Sequence, residues 1–289
     1  MIRSRILAAL VACSLPAFAQ QRASVTWLPA ETTGLDRIVE ELITTFDHAD
    51  VLGLSEAHWA KDDSELRIAL VRHPGFPKKV RFIVVECAST ADQVIIDQYV
   101  RGDDVPRAAL QRVWTNTTQR SDVWQSPVYE DFLTAVRQVN AGLPPTGRIR
   151  VLAGDPPPGS RLDRDGTAVS VIEKNVLHKH AKALVVYGSE HLKWTEPEGL
   201  TSRLEQRHRG LRMVVVYTTG GPQPYFSENF EPALTSRMRP VLVPLGRNGI
   251  GNLSDGRFTY SQLFDACVYW GAGPDAGKLV PPVGAGKKL

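Results

Sequence analysis

Five short apolar, β-branched runs separated by helix-like segments limit the possible folds of this 289-residue chain more than any other feature. The runs are residues 51–54, 80–85, 149–153, 183–187 and 211–217. Each lacks polar alternation, which is typical of a strand buried on both faces. Helical periodicity is found at residues 35–46, 64–72, 92–101, 129–139, 168–180 and 200–208. Strands that alternate with helices predict an α/β fold with a mostly parallel central sheet flanked by helices.

The N-terminus has the three parts of a secretory signal. Arg3 and Arg5 are basic, residues 6–15 are apolar but too few to span a bilayer, and residues 17–19 are the small-residue motif Ala-Phe-Ala. This order predicts cleavage before Gln20 and export, so that the mature protein would be periplasmic or secreted.

A lipid anchor is the alternative interpretation of the same region. Residues 10–13 (LVAC) resemble a lipobox, in which Cys13 would be acylated and the protein tethered to a membrane. A membrane is a partner only in that case. Nucleic acid is not predicted as a partner. The 34 basic and 31 acidic residues leave a formal charge of only +3, and the basic ones are spread along the chain.

Two cysteines, Cys87 and Cys267, remain after such processing. An exported protein can keep a disulfide, so the two could pair. Cys87 lies within a strongly apolar run, however, where a free thiol is common, and this slightly favours two unpaired cysteines. The sequence leaves both possibilities open.

The remaining segments are predicted as additions to the sheet. Residues 107–127 are long for a plain connection and predict a helical or loop insertion near the functional site. After Gly220 the chain is rich in proline and glycine, with strand-like pieces at 241–245 and 258–260, which predicts a C-terminal edge extension or cap. The expected organisation is a signal peptide at 1–19, a single α/β domain at 20–270 and a flexible tail at 271–289.

Polar residues follow four of the predicted strands, at the edge where a parallel sheet places its ligand site. They are Ser55, Glu56 and His58 after the first strand, Glu86 after the second, Gly154 and Asp155 after the third, and Gly188, Glu190 and His191 after the fourth. A helix cap needs only Ser, Asp or Gly at such a position, not a carboxylate followed by an imidazole. This edge of the sheet is therefore the predicted functional site.

Four of these residues are the candidate catalytic groups, namely Glu56, His58, Glu86 and His191. Glu56 and His58 are two residues apart, so in an extended segment their side chains lie on one face. Glu86 directly follows an apolar run, where a buried carboxylate is costly unless it is paired. Two imidazoles and two carboxylates can perform general acid–base chemistry near neutral pH, or His58, Glu86 and His191 can bind a divalent metal.

Five further residues are candidate binding groups. Asp155 is followed by three prolines that leave it no helix to cap, and Glu190 precedes His191 directly. Trp59, Trp114 and Trp124 offer flat apolar surface for a small-molecule substrate or for haem. We expect these residues to surround the catalytic groups.

Three short motifs carry a resemblance to a known superfamily. Residues 53–58 (GLSEAH), 84–86 (VVE) and 185–191 (VVYGSEH) resemble the motifs shared by erythromycin esterases, ChaN-like haem-binding lipoproteins and Tiki-type metalloproteases. The resemblance implies a Rossmann-like fold whose Glu and His residues line one cleft. The esterase branch implies that His58 activates water beside Glu56 and Glu86. The protease branch implies a divalent metal at the equivalent positions, and the ChaN branch implies haem.

The leading hypothesis is an exported hydrolase of the erythromycin esterase-like type. His58 would deprotonate water, Glu56 and Glu86 would orient it, and His191 would polarise the carbonyl or protonate the leaving group. A covalent serine mechanism is disfavoured, because the chain has no Gly-x-Ser-x-Gly motif. The alternative is a ChaN-like protein that binds haem or a metal without turnover. Ser55 and Trp59 depart from the family pattern, so the resemblance does not predict the substrate of this chain.

Overall fold

A computed structural model describes residues 28–120, 122–220, 237–246 and 258–281. The predicted signal peptide at 1–19 and the alternative acylation at Cys13 lie outside these residues. The strands are β1 (Thr32–Thr33), β2 (Val51–Glu56), β3 (Phe82–Ser89), β4 (Arg150–Asp155), β5 (Ala183–Gly188), β6 (Met213–Thr219), β7 (Val241–Pro244) and β8 (Ala266–Tyr269). The α-helices are α1 (Leu35–Thr45), α2 (Lys61–Arg72), α3 (Phe76–Lys79), α4 (Gln93–Arg101), α5 (Arg107–Thr115), α6 (Pro127–Ala141), α7 (Arg164–Asn175), α8 (Ser189–Leu192), α9 (Leu200–Arg207) and α10 (Tyr260–Leu263).

The strands form one sheet in the order β1-β7-β8-β6-β2-β5-β3-β4. The five strands predicted from the apolar runs are β2 to β6, and all of their pairings with one another are parallel. Every residue of β2 and of β6 is buried, as expected for strands covered on both faces. The predicted α/β fold with a mostly parallel sheet is therefore confirmed.

The C-terminal extension adds strands to one edge of this sheet. β8 pairs with β6 in parallel, and β7 and β1 continue the sheet in antiparallel pairings. Of the strand-like piece predicted at 258–260, Thr259 forms a single β-bridge, and a helix, α10, begins at Tyr260. Thr259 and Gln262 form a capping box at its start, a short-range helix signal that outweighs the aromatic and β-branched character of the segment.

Alternate residues of the central strands pack into two apolar layers. Leu52 and Leu54 face the layer that includes α1, α2, α4 and α6, whereas Val51 faces the layer that includes α7 and α9. The insertion at 107–127 forms α5 and a loop, and both pack on the first layer through Trp114 and Trp124. Within the described residues, no helix is long and apolar enough to cross a membrane.

Residues 277–280, expected in the flexible tail, pair with the start of α2. Ala60 and Leu279 form an antiparallel bridge, and the backbone N–H of Lys61 donates to the carbonyl of Lys278 (2.9 Å). The rest of the predicted tail from residue 282 lies outside the described residues.

Cys87 and Cys267 are both free. Cys87 lies in β3 and Cys267 in β8, four strand positions apart in the sheet order. At about 4.8 Å per strand this separates them by roughly 19 Å, well beyond the reach of a disulfide. The slight preference for two unpaired cysteines therefore agrees with the sheet topology.

Candidate active site

Glu86 leaves the β-ladder at a bulge in β3. Val85 pairs with Ala153 and Ser89 with Asp155, so four steps along β3 match only two along β4. The pairing of β3 with β5 also ends at Val85. Such a bulge re-aims a side chain, and here it places the Glu86 carboxylate, which is 2% exposed, at the end of the parallel strands.

The Glu86 carboxylate is held by three donors. Arg164 Nη2 and the backbone N–H of Gly188 each donate to it at 2.7 Å, and His191 Nε2 lies 3.3 Å from Oε1. Burial by itself raises the pKa of Glu86, but the contact with His191 and the charges of His191 and Arg164 outweigh burial and lower the pKa to about 2. Glu86 is therefore an ionised anchor at neutral pH and a poor proton acceptor.

Both ring nitrogens of His191 face carboxylates. Nδ1 is 2.6 Å from Asp165 Oδ1, and Nε2 faces Glu86. Burial lowers the pKa of His191, but the hydrogen bond to Asp165 and the contact with Glu86 together raise it to about 10. His191 is therefore an imidazolium at neutral pH, and neither of its N–H groups is directed at a substrate.

Arg164 connects Glu86 in β3 to Asp155 at the end of β4. Its Nη2 binds Glu86, and its Nε donates to Asp155 Oδ1 at 2.7 Å. Asp155 is fully buried and also accepts hydrogen bonds from the backbone N–H of Thr118 (2.6 Å) and from its hydroxyl (2.9 Å). The predicted binding residue Asp155 thus connects the site to the loop between α5 and α6.

Glu56 and His58 form a second, separate pair. His58 Nδ1 lies 3.7 Å from Glu56 Oε1, and the other oxygen of Glu56 is bound by Arg67. Arg67 is 2% exposed, and its guanidinium lies over the ring of Tyr129 at 5.4 Å. Glu56 is therefore a buried carboxylate with a permanent cationic partner.

His58 differs from His191 in its access to solvent. Its side chain is 39% exposed, and Glu56 is its one polar contact among the described residues. Burial lowers the pKa of His58, but the contact with Glu56 and the charges of Glu56 and Glu86 outweigh burial and raise it. Because Nδ1 faces Glu56, Nε2 is the nitrogen that can exchange a proton with a ligand.

Gly188 marks the point where these groups meet. A Cβ atom on Gly188 would lie 3.2 Å from Glu86 Oε2, 3.7 Å from His191 Cδ2 and 3.9 Å from His58 Cε1. The structure thus brings the four candidate catalytic residues to one place, with the Cα of Gly188 facing the space between them.

The predicted tryptophans and Glu190 lie in different environments. The ring of Trp124 is 4.4 Å from that of His58, and Trp59 Nε1 donates to the carbonyl of Val123 at 2.6 Å. Trp114 is buried in the apolar core. Glu190 is exposed and pairs with Lys193, so the structure does not bring Trp114 or Glu190 to the four candidate groups.

Arg67, Arg164 and Asp165 belong to the site but were missed by sequence reasoning. The helix that carries Arg164 and Asp165 was predicted from residue 168, whereas it begins at 164 after the N-cap Asp163. The side chain of Asp163 accepts from the N–H of Gly166, and an aspartate N-cap at this position is the sequence signal that predicts a helix start at Arg164. Arg67 lies inside a helix among apolar residues, and only the packing of α2 places it beside Glu56.

The described residues give no support for a bound metal or haem. Among the described ranges, no three His, Cys, Asp or Glu side chains are arranged to hold a metal ion. Both ring nitrogens of His191 are engaged by carboxylates, and a cavity of about 510 Å³ beside β4 and α7 includes neither His58 nor His191 in its lining. We therefore derive no chemical step through either group.

Neither a protein-family model nor a curated protein matches this chain. Solved structures with a similar fold include a Bacillus cereus protein (14% identity, TM-score 0.55, covering 84% of this chain and 94% of that one). A mutant of the erythromycin esterase EreC in its open conformation is also similar (11% identity, TM-score 0.53, 86% and 98%). Haem-bound ChaN of Campylobacter jejuni is more distant (13% identity, TM-score 0.45, 81% and 91%).

At such identities the likeness shows the fold alone. The chain has an α/β fold that is also found in an erythromycin esterase structure, which confirms at the level of fold the resemblance carried by the three motifs. Substrate and chemistry are not part of that finding.

Proposed function

We propose that this protein is a hydrolase that activates water with the His58–Glu56 pair and cleaves an ester or lactone of a small molecule. The observation that carries the proposal is that His58 combines solvent access, an Nε2 without a partner in the described part of the chain, and a buried carboxylate at Nδ1. A carboxylate that orients an imidazole and stabilises its protonated form is the usual arrangement of a histidine general base.

The Glu56–Arg67 ion pair supports this role. Arg67 binds Oε2 of Glu56 and fixes the position of the carboxylate, so Glu56 Oε1 faces His58 Nδ1. When His58 Nε2 takes a proton from water, the charge that develops on the imidazole is stabilised by Glu56. The remaining hydroxide attacks the carbonyl carbon, the bond to the leaving oxygen breaks, and the protonated His58 returns its proton to that oxygen.

His191 and Glu86 have a different part in the proposal from the one expected from sequence. His191 does not polarise the carbonyl or protonate the leaving group, because its two nitrogens face Asp165 and Glu86. The two residues instead form a fixed ion pair near His58, and the negative charge of Glu86 also favours protonated His58. Charged groups that do not reorganise during the reaction favour catalysis.

The likeness of fold to the EreC structure agrees with esterase chemistry and is a second, weaker support. We also propose that the enzyme acts outside the cytoplasm, as the signal-like N-terminus predicts. The ChaN-like alternative has no specific observation in its favour among the described residues.

The decisive experiment compares His58→Gln with His178→Gln on a panel of esters and lactones. His178 is an exposed histidine before the start of β5, whereas the four candidate groups lie at the carboxyl ends of strands, and it serves as the matched control. We expect His58→Gln to lower turnover by about 10²- to 10⁴-fold with an unchanged fold, as is usual for a lost general base, and His178→Gln to behave as wild type. Full activity of His58→Gln would overturn the proposal.

A further inference from the structure

The turn that carries His58 has an unusual backbone conformation. Trp59 has φ 69°, in the left-handed region that residues with a Cβ atom rarely adopt. The N–H of Ala60 closes the turn on the carbonyl of Ala57 at 3.0 Å. Such a conformation persists only where surrounding contacts hold it, so the contacts of Trp59 and its neighbours determine where His58 points.

Residues 277–280, which we name the C-terminal clasp, supply several of these contacts. The N–H of Val280 donates to the carbonyl of Trp59 at 2.8 Å, and the N–H of Lys61 donates to Lys278 at 2.9 Å. The N–H of Gly277 donates to Asp62 Oδ2 at 2.7 Å. The clasp therefore binds the turn at Trp59 and the first residues of α2 directly after it.

The clasp also reaches the other segment that touches His58. The hydroxyl of Ser126 donates to the carbonyl of Val280. Ser126 is two residues after Trp124, whose ring packs edge-on against the imidazole of His58 at an interplanar angle of 69°. One residue of the clasp, Val280, thus binds the His58 turn through its N–H and the Trp124 loop through its carbonyl.

We propose that the C-terminal clasp is a positioning element of the site, which holds Trp59 in its left-handed conformation and thereby fixes His58 between Glu56 and Trp124. Its catalytic consequence rests on the function proposed above, but its structural consequence does not. The clasp does not touch the reacting atoms and acts only through His58.

The experiment compares Val280→Pro with Val280→Ala. Proline removes the N–H that binds Trp59, whereas alanine keeps it. The ring-proton chemical shifts of His58 report its position, because the ring current of Trp124 displaces them. In Val280→Pro we expect these shifts to move towards those of the exposed His178, the amides of residues 57–60 to exchange at least tenfold faster, and kcat to fall at least tenfold. Val280→Ala should match wild type in all three measurements.

A second variant covers the case in which Val280→Pro does not fold. Asp62→Ala removes the acceptor of the Gly277 N–H, and Glu65→Ala, an exposed change in the same helix, is its control. Asp62→Ala should also move the His58 shifts, by a smaller amount than Val280→Pro, whereas Glu65→Ala should not. His58 shifts that stay at wild-type values in both clasp variants would overturn the proposed clasp.

The two proposals fail in different ways. If the His58 shifts move in Val280→Pro and kcat stays unchanged, the clasp stands and His58 is not the general base. If the shifts do not move, the clasp is wrong whatever the activity of the protein.

Discussion

His191 Nε2 and Glu86 Oε1 lie 3.3 Å apart, and the pairing displaces the titration of both groups away from neutral pH. The pKa of Glu86 falls to about 2, and that of His191 rises to about 10. The pair is therefore fully charged over the range in which an enzyme of this kind would act. Of the two imidazoles of the site, His58 is the one that is not held between two carboxylates.

The stability of the protein should depend on pH through this pair. The lowered pKa of Glu86 stabilises the fold above its ordinary value of 4.5, and that contribution is lost as the pH falls towards 2. The raised pKa of His191 stabilises the fold below its ordinary value of 6.5, and that contribution is lost as the pH rises towards 10. We expect the urea midpoint to be highest between these two ordinary values.

Urea titrations of wild type and His191→Gln from pH 3 to pH 10 test this prediction. The variant should lose about 1–3 kcal/mol at neutral pH, because Asp165 and Glu86 lose a partly buried cation, and should not show the alkaline decline that His191 causes. An alkaline decline of the same size in both proteins would contradict it.

Glu86→Gln should destabilise the protein as well as inactivate it. Glutamine retains the size of the side chain but leaves the cations Arg164 and His191 without their shared anion. Breaking a buried ion pair from one side costs about 3–5 kcal/mol. Thermal unfolding measures the loss, and NMR titration should show a lower pKa for His191. A wild-type pKa for His191 in this variant would show that Glu86 is not the partner that raises it.

Gly188→Ala should block the site without unfolding the protein. Gly188 has φ −53°, which alanine adopts without strain, but the added methyl would lie 3.2 Å from Glu86 Oε2 and 3.9 Å from His58 Cε1. We expect at least a tenfold loss of kcat/KM with a small change in Tm. Gly273→Ala is the control, since a Cβ there meets nothing within 4 Å. Equal activity of the two variants would mean that this space is not the reaction site.

Arg67→Met should raise the pKa of His58. Removing the Arg67 cation leaves His58 as the cationic partner of the buried Glu56 carboxylate, which favours the charged form of His58. The rise of activity with pH, which follows deprotonation of His58, should then begin at higher pH than in wild type. NMR titration of His58 checks the direction of the change, and we expect about 3–5 kcal/mol loss of stability from the broken buried pair.

Processing of the N-terminus gives a prediction that is independent of the site. Basic residues, a short apolar run and Ala-Phe-Ala at 17–19 lead us to expect an exported protein that starts at Gln20. Mass spectrometry of protein recovered from the exported fraction of a bacterial host measures the first residue. Acylation at Cys13 would establish the lipid-anchored alternative, and an intact Met1 would contradict both.

The parallel sheet could be predicted because its signal is local. Each buried strand is a continuous apolar run, such as 183–187, and the helices between the runs have their own periodicity. Parallel strands also bring their carboxyl ends to one edge, so the polar residues that follow them, Glu56, Glu86 and His191, could be placed near one another from the sequence.

Other parts of the site depend on how helices pack against the strand ends. Arg67 meets Glu56 because α2 packs across the end of β2, and Arg164 reaches both Glu86 and Asp155 because α7 begins beside two strand ends. No spacing in the sequence encodes these pairs. The contacts of His191 with Asp165 and Glu86 likewise depend on packing, and they decide the chemistry, since they make His191 a fixed cation rather than an acid catalyst.

By itself the sequence determined the order of strands and helices and the edge at which polar residues collect, because burial and periodicity act over a few residues. Only the tertiary structure decided which carboxylate each imidazole faces, that Trp114 lies in the core and Glu190 on the surface, and that residues 277–280 bind the turn after β2. Charge pairing and packing act through space and fall steeply with distance, so they follow from the folded arrangement of the chain.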